Sequence, residues 1–136
     1  MERKLFIILI NVLIGINLDA SAQNILIPQE YSIELEDSAE MGFADAQYKI
    51  GKYYYQQYAL LVDGSRTRDE ARKYKEIAKK WFKKTVSQGN IGAMYGLSQT
   101  YYDRYDGELS DSLYLWLEKA ASANDADAKY YIYTLY

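Results

Sequence analysis

Cysteine and histidine are both missing from this chain of 136 residues, and each absence excludes a kind of chemistry. Without cysteine there can be no disulfide, no catalytic thiol and no lipid-modified cysteine anchor, so packing alone must hold the fold together. Without histidine the chain lacks the commonest general base and the commonest metal ligand. Catalytic triads built on histidine are therefore excluded.

Proline and long apolar runs are also scarce. The single proline, Pro28, lies in residues 23–29, which we interpret as a short linker. No proline interrupts the chain after this segment, which favours continuous helices. The net charge of −3 gives no reason to expect nucleic acid as a partner. No glycine-rich phosphate loop or metal-ligand spacing is present, so we expect no cofactor and no metal.

The one long apolar run belongs to a predicted secretory signal peptide over residues 1–22. Arg3 and Lys4 form a positive start, residues 5–16 are largely apolar, and Ala20-Ser-Ala22 fits a cleavage site. The alternative, an uncleaved membrane anchor, requires a spanning helix, and such a helix needs roughly 20 apolar residues. We therefore expect a secreted or periplasmic protein that meets a membrane only if this peptide stays uncleaved.

The clearest helix is predicted between residues 67 and 88. Thr67, with Glu70 three residues later, forms a capping box in which the hydroxyl accepts from a free backbone N–H and the carboxylate reaches back. Gly89 supplies a permissive end. Apolar side chains then recur at three- and four-residue steps and define one face: Ala71, Tyr74, Ile77, Ala78, Trp81, Phe82 and Thr85.

Three segments of the chain resemble one another. Ala46, Ala93 and Ala128 each begin the pattern Ala-x-Tyr-x-Ile or Leu, at offsets of 47 and 35 residues. The shorter offset also places Trp81 on Trp116. A period of about 35 residues with two amphipathic helices is typical of a helical solenoid, in which each unit buries its apolar face against the next.

The predicted fold is therefore all-α, an α/α solenoid of antiparallel helix hairpins over residues 30–136, with about two and a half units. Small alanines at equivalent positions would let neighbouring helices approach closely. The first interval is longer by 12 residues. We expect these extra residues around positions 56–72, as a longer loop plus an N-terminal extension of the capped helix.

These segments resemble the Sel-one-like repeat (SLR) family, which is related to the tetratricopeptide repeats. Residues 42–55, GFADAQYKIGKYYY, are similar to the family's first helix, and residues 78–84, AKKWFKK, to the end of its second. The resemblance covers roughly residues 38–136, with a partial helix over residues 31–37. It implies a scaffold that mediates protein–protein interaction. The family's glycine-rich turn between the two helices is absent, and residues 103–107 replace it in one unit.

Tyrosine is abundant, with 16 residues, and its side chain gives large contact area and a hydroxyl at low entropic cost. Five tyrosines follow the packing period and are predicted in the core: Tyr48, Tyr54, Tyr95, Tyr101 and Tyr130. Six others are predicted on the surface as candidates for binding a protein or peptide partner: Tyr53, Tyr55, Tyr58, Tyr102, Tyr105 and Tyr131.

Charged residues suggest three further hypotheses. Residues 66–84 contain nine basic and three acidic residues, which form either a solvated helix face or a stripe for an anionic surface. A calcium ion could take oxygen ligands, without the pattern of a dedicated loop, from Asp103, Asp106 and Glu108. Clustered carboxylates, which we interpret as electrostatic rather than catalytic, occur at Glu34, Glu36 and Asp37.

The sequence therefore predicts an exported helical-repeat scaffold that binds a protein partner and catalyses no reaction. The alternative is a cell-envelope hydrolase acting through carboxylates, which requires two carboxylates to converge in a cleft. The chain reaches Tyr136 inside the expected first helix of a further unit. We expect this aromatic C-terminal end to be covered by a partner or by a second copy in self-association, or the array to be truncated.

Overall fold

The computed structural model describes residues 31–63 and 67–135, and this part of the chain is all-helical. Its six helices are α1 (Ile33–Glu40), α2 (Ala44–Asp63), α3 (Arg68–Val86), α4 (Ile91–Thr100), α5 (Asp111–Ser122) and α6 (Ala126–Leu135). None of these six helices is long and apolar enough to cross a membrane. The expected signal peptide (1–22) and linker (23–29) lie outside the described residues.

Polar caps fix where the helices begin. The residue before each of α1, α3, α4 and α5 accepts a hydrogen bond from a backbone N–H of the first turn, and these caps are Ser32, Thr67, Asn90 and Ser110. The helix predicted between residues 67 and 88 is confirmed as Arg68–Val86. Its predicted cap is confirmed too, because the Thr67 hydroxyl accepts from the Glu70 N–H at 3.4 Å.

The helices recur at the spacing found in the sequence. Helices α2, α4 and α6 begin at residues 44, 91 and 126, which are 47 and 35 residues apart. Two residues before each start the backbone has a positive φ, of +98°, +81° and +73°, at Gly42, Gly89 and Asn124. Glycine adopts this conformation without steric cost, and asparagine tolerates it better than most residues. The same turn therefore precedes all three helices.

Each helix packs against the next one along the chain, and α2 also contacts α4. Phe82 of α3 is buried between these two helices. A Cβ atom on either Gly51 or Gly96 would lie 2.7 Å from a carbon of the Phe82 ring, so both positions need glycine for this approach. The expected small residues are confirmed, since the equivalent alanines of α2, α4 and α6 are all buried: Ala46, Ala93 and Ala128.

The two tryptophans occupy equivalent positions that are only partly buried. Trp81 packs against a cluster formed by α1 and α2, and Trp116 packs against a cluster formed by α3 and α4. An equivalent lysine covers each ring. Lys84 Nζ lies 4.5 Å from the centre of the Trp81 ring, and Lys119 Nζ lies 4.4 Å from that of Trp116. Both lysines therefore shield aromatic surface while their charge stays in solvent.

The first hairpin is longer than the second because both of its helices are extended. Helices α2 and α3 have 20 and 19 residues, whereas α4 and α5 have 10 and 12. The predicted extension of the capped helix is confirmed. The longer loop predicted around residues 56–72 is wrong for residues 56–63, because they continue α2 as helix.

The extended hairpin reaches the loop between α4 and α5 and holds it through ion pairs. Arg72 donates to Asp103 at 2.7 Å and to Asp106 at 3.0 Å, and Arg68 donates to Asp106 at 3.1 Å. Lys75, which is buried, lies 3.6 Å from Asp103. Arg68, Arg72 and Lys75 of the basic segment therefore pair within the chain, and the two aspartates of the hypothetical calcium site are engaged by these side chains.

Asp103 is the carboxylate that this arrangement perturbs most. Burial alone would raise its pKa, but hydrogen bonds from Arg72 and from the Tyr105 N–H, with the charge of Lys75, bring the pKa down to about 2. The pKa of Lys75 is lowered in turn by burial, which the charge of Asp103 opposes. The ionised aspartate is thus a structural part of the loop.

Candidate functional site

Two adjoining cavities lie between α2, α4 and α6, and we call them together the tyrosine groove. The deep pocket, of about 120 Å³, is lined by Tyr55, Tyr95, Ser98, Gln99, Tyr102, Arg104, Leu113 and Tyr131. The outer pocket, of about 270 Å³, has a lining that includes Tyr48, Lys52, Tyr55, Tyr95, Gln99 and Asp127. Tyr55, Tyr95 and Gln99 line both pockets, so the two pockets adjoin.

The helical repeat places these side chains side by side. Tyr48, Lys52 and Tyr55 follow one another at steps of four and three residues, so they share one face of α2. The offset of 47 residues carries them onto Tyr95, Gln99 and Tyr102, in α4 and directly after it. Because α2 and α4 are in contact, the two equivalent faces together form one aromatic wall.

Three of the six tyrosines predicted to bind a partner come together in the deep pocket. They are Tyr55 from α2, Tyr102 from the loop after α4, and Tyr131 from α6. Each is only partly exposed. The sequence therefore found half of the candidate tyrosines at one place, although their role in binding stays a prediction.

The other three candidates lie elsewhere. Tyr58 has 0% exposure, so its predicted surface position is wrong. Its ring lies 5.3 Å from Lys75 Nζ and its hydroxyl accepts from the Arg104 N–H at 3.3 Å, so it belongs to the support of the loop. Tyr53 packs on Tyr31, with ring centres 4.4 Å apart. Tyr105 lies under the Arg68 guanidinium, and its buried hydroxyl has no hydrogen-bond partner within the described residues.

One of the five tyrosines predicted in the core is placed differently. Tyr48 and Tyr95 are partly buried and pack against buried clusters, as predicted, and they also line the groove. Tyr130 is 70% exposed, because no described helix packs on that face of α6, and Tyr133 beside it is 83% exposed. Self-association through this end stays a prediction. Tyr101 packs against buried clusters on both sides, and so does Tyr54, as the packing period predicted.

The Tyr55 and Tyr95 hydroxyls of the deep pocket both have a raised pKa, so they stay protonated at neutral pH and can donate hydrogen bonds. Burial raises the pKa of Tyr55 to about 12, although the Arg104 guanidinium lowers it in part, and the hydroxyls of Tyr95 and Tyr131 add to the rise. The pKa of Tyr95 is raised as well, by burial and then by the carboxylate of Asp127. These couplings place three hydroxyls and one guanidinium within electrostatic reach of one another.

Carboxylates do not converge in this groove. Among the residues that line its two pockets, Asp127 is the only acid. A glycosidase-type site needs two, one of them with a raised pKa, whereas the pKa of Asp103 is lowered. No group of three or more candidate metal ligands exists within residues 31–63 and 67–135. The described lining of the groove thus offers mainly hydrogen-bonding groups and aromatic faces.

Sequence reasoning missed Arg104, Gln99 and Lys52 as groove residues. The repeat offset could have found the last two, because they are equivalent positions one helical turn from tyrosines of the groove. Arg104 could not have been found in this way, since it lies in the loop that departs from the repeat. Its position depends on the ion pairs that hold this loop.

Comparisons with known proteins give no match: neither a family model, nor a curated protein, nor a solved structure is similar to this chain. The resemblance to the SLR family therefore rests on the motifs of the sequence alone. Function must be argued from the groove itself.

Proposed function

We propose that this chain is an exported scaffold, built as an SLR-like α/α solenoid, that binds an extended segment of a partner protein in the tyrosine groove and catalyses no reaction. One observation carries the proposal. The repeat places tyrosines of α2 and α4 on one wall, beside Tyr131 of α6, around two adjoining pockets. Tyrosine suits such a surface because it offers both an aromatic face and a hydrogen bond while losing little conformational entropy.

The shape of the groove favours a chain segment over a small molecule. The deep pocket has about 120 Å³ and the outer pocket about 270 Å³, and the two adjoin. An extended peptide could place one side chain in the deep pocket and a neighbouring one in the outer pocket. The regular spacing of the starts of α2, α4 and α6 along the chain supports the solenoid part of the proposal, and the N-terminal sequence pattern supports export.

The test uses random dodecapeptides, acetylated and amidated at their ends, passed over the immobilised chain. We expect the chain to retain a defined subset, and Tyr102→Ala to lower that retention at least about tenfold, as loss of a central aromatic contact does. Tyr133→Ala is the matched control, because this tyrosine is 83% exposed and lies outside the groove. Equal retention by both variants, with unchanged thermal melts, would contradict a role for the groove.

A further inference from the structure

The walls of the tyrosine groove are largely helix surfaces, and this limits how a bound segment can be held. Residues 48–56 of α2 and 92–99 of α4 contribute to the lining, and most of their backbone N–H and C=O groups bond within the helices. A segment lying along these two walls therefore cannot add to a sheet edge. Side chains and water must satisfy its backbone, and each buried N–H without a partner is costly.

The side chains of the groove offer aromatic faces and hydrogen-bond donors to such a segment. The Tyr55 and Tyr95 hydroxyls stay protonated, because burial raises the pKa of both. The Gln99 amide and the Lys52 ammonium are further donors at the outer pocket. A segment with carbonyl acceptors, few N–H groups and compact apolar side chains complements this lining. Proline has these properties, because its ring replaces the backbone N–H.

The deep pocket has the size of a small ring. Its volume of about 120 Å³ is smaller than an engineered cavity of about 150 Å³ that holds benzene. The pyrrolidine ring of proline fits this space, whereas an aromatic side chain is too large for it. The ring would contact Tyr102 and Leu113, which line the pocket.

The tyrosines along α2 are spaced like one face of a polyproline II helix. Tyr48 lines the outer pocket, and Tyr55, seven residues later, lines both pockets. Seven residues rise about 10.5 Å along an α-helix. Residues i and i+3 of a polyproline II helix share a face and lie about 9.3 Å apart. The same-face distances in a β-strand, about 6.7 Å and about 13 Å, match this spacing less well.

We propose that the tyrosine groove binds a proline-rich segment in the polyproline II conformation, with prolines at i and i+3 in its two pockets. The proposal rests on the function given above and deepens it by naming the kind of segment. The proline rings pack on Tyr48 and Tyr102, and the Tyr55 hydroxyl and the Gln99 amide donate to carbonyls of the segment. Because proline-rich chains hold this conformation before binding, they lose little conformational entropy in the groove.

Three synthetic pools of dodecapeptides, passed over the immobilised chain, test this selectivity. All are acetylated and amidated at their ends and random, without proline, outside two fixed central positions. The first pool has prolines three residues apart, the second has prolines four residues apart, and the third has alanines in place of the prolines of the first. We expect retention of the first pool to exceed that of the alanine pool about tenfold, since proline restricts the free segment beforehand. The second pool should be retained at least about threefold less than the first, because one of its prolines points away from the wall.

Substitutions of groove tyrosines test whether both pockets take part. Tyr48→Ala and Tyr102→Ala each remove the wall of one pocket, so each should bring the ratio between the first and second pools towards one. Tyr133→Ala is the matched control and should leave this ratio unchanged, because Tyr133 is 83% exposed and lies outside the groove. The variants are compared where their thermal melts match the parent chain, and the three pools on the parent chain test the proposal by themselves.

The outcomes separate this inference from the proposed function. Equal retention of the first pool and the alanine pool, lost on Tyr102→Ala, would overturn the proline preference and leave the groove as a binding site. Equal retention of the two proline pools would overturn the polyproline II register. Retention of no pool would overturn both proposals.

Discussion

Replacing Gly51 by serine and Phe82 by leucine tests whether the two hairpins are repeats in their packing as well as in their sequence. Gly51 and Phe82 meet in the first hairpin, where a Cβ on the glycine would lie 2.7 Å from the ring. The offsets of 47 and 35 residues place Ser98 and Leu117 at the equivalent positions, and both are buried. The second hairpin thus has serine and leucine where the first has glycine and phenylalanine.

The single substitutions should each destabilise the fold. Gly51→Ser forces a side chain into the Phe82 ring, and overpacking costs about 1–3 kcal/mol, which the better helix propensity of serine offsets by roughly 0.5 kcal/mol. Phe82→Leu removes part of a buried ring at a cost of about 1–2 kcal/mol. The serine hydroxyl should find a partner, because Ser98 donates to the carbonyl three residues earlier and the Tyr48 carbonyl is equivalent.

We expect the double variant to lose only about 1 kcal/mol of unfolding free energy, well below the sum of the two single effects. The smaller leucine at position 82 leaves room for the serine at position 51. The coupling free energy from a double-mutant cycle in urea should therefore be about 1–2 kcal/mol in favour of the pair. Gly51→Ser with Leu113→Ala is the control, because Leu113 packs in the cluster of α5 and α6. Additivity of the first pair within about 0.5 kcal/mol would refute the equivalence of the two hairpins.

Two further predictions concern the loop and the turns. The pKa of Asp103 is about 2 in the folded chain, below its ordinary 3.8. The ionised carboxylate therefore stabilises the fold fully above pH 3.8, and this stabilisation is lost as the pH falls towards 2. Because the side chain is 20% exposed and partly screened by solvent, the contribution to the free energy of unfolding is about 1–2 kcal/mol. Between pH 6 and pH 3, the free energy of unfolding measured in urea should fall by about 1 kcal/mol less in Asp103→Asn than in the parent chain. Equal losses in the two chains would contradict this prediction. Gly89→Val, at φ +81°, should cost about 1–2 kcal/mol. Gly89→Asn should cost clearly less, because Asn124 adopts the equivalent conformation, and equal melting temperatures of these two variants would disprove the shared turn.

The parts of the fold that were predictable from the sequence are those that short-range chemistry determines. The cap at Thr67 and the turn at Gly89 depend on residues within one or two turns of helix, and both are confirmed. The spacing of the three related helices follows from the repeat itself, since equivalent residues make equivalent turns. The longer first hairpin was harder, because twelve extra residues can lengthen helices or a loop with the same composition.

The placement of individual tyrosines was less predictable because burial depends on which helices meet. Tyr48 and Tyr95 have the spacing of packing residues, yet they line the groove, since the packed face and the groove face adjoin on the same helix. Tyr58 lies three residues beyond the segment that resembles the repeat, and it is buried because the extended α3 brings Lys75 over it. A buried lysine cannot be predicted without its partner, and Asp103 is far away in sequence.

The departure from the repeat and the candidate binding site have one physical origin. Extra turns of α2 and α3 bring Tyr58, Arg72 and Lys75 to the loop after α4. There Arg72 and Lys75 contact Asp103. The Tyr58 hydroxyl accepts a hydrogen bond from the Arg104 N–H. The main chain of Arg104 is thereby held on one side of the loop, and its side chain lines the deep pocket. A glycine-rich turn of ordinary length would supply neither the cation nor its support. The insertion is therefore the feature that places the Arg104 side chain beside the tyrosines of the groove.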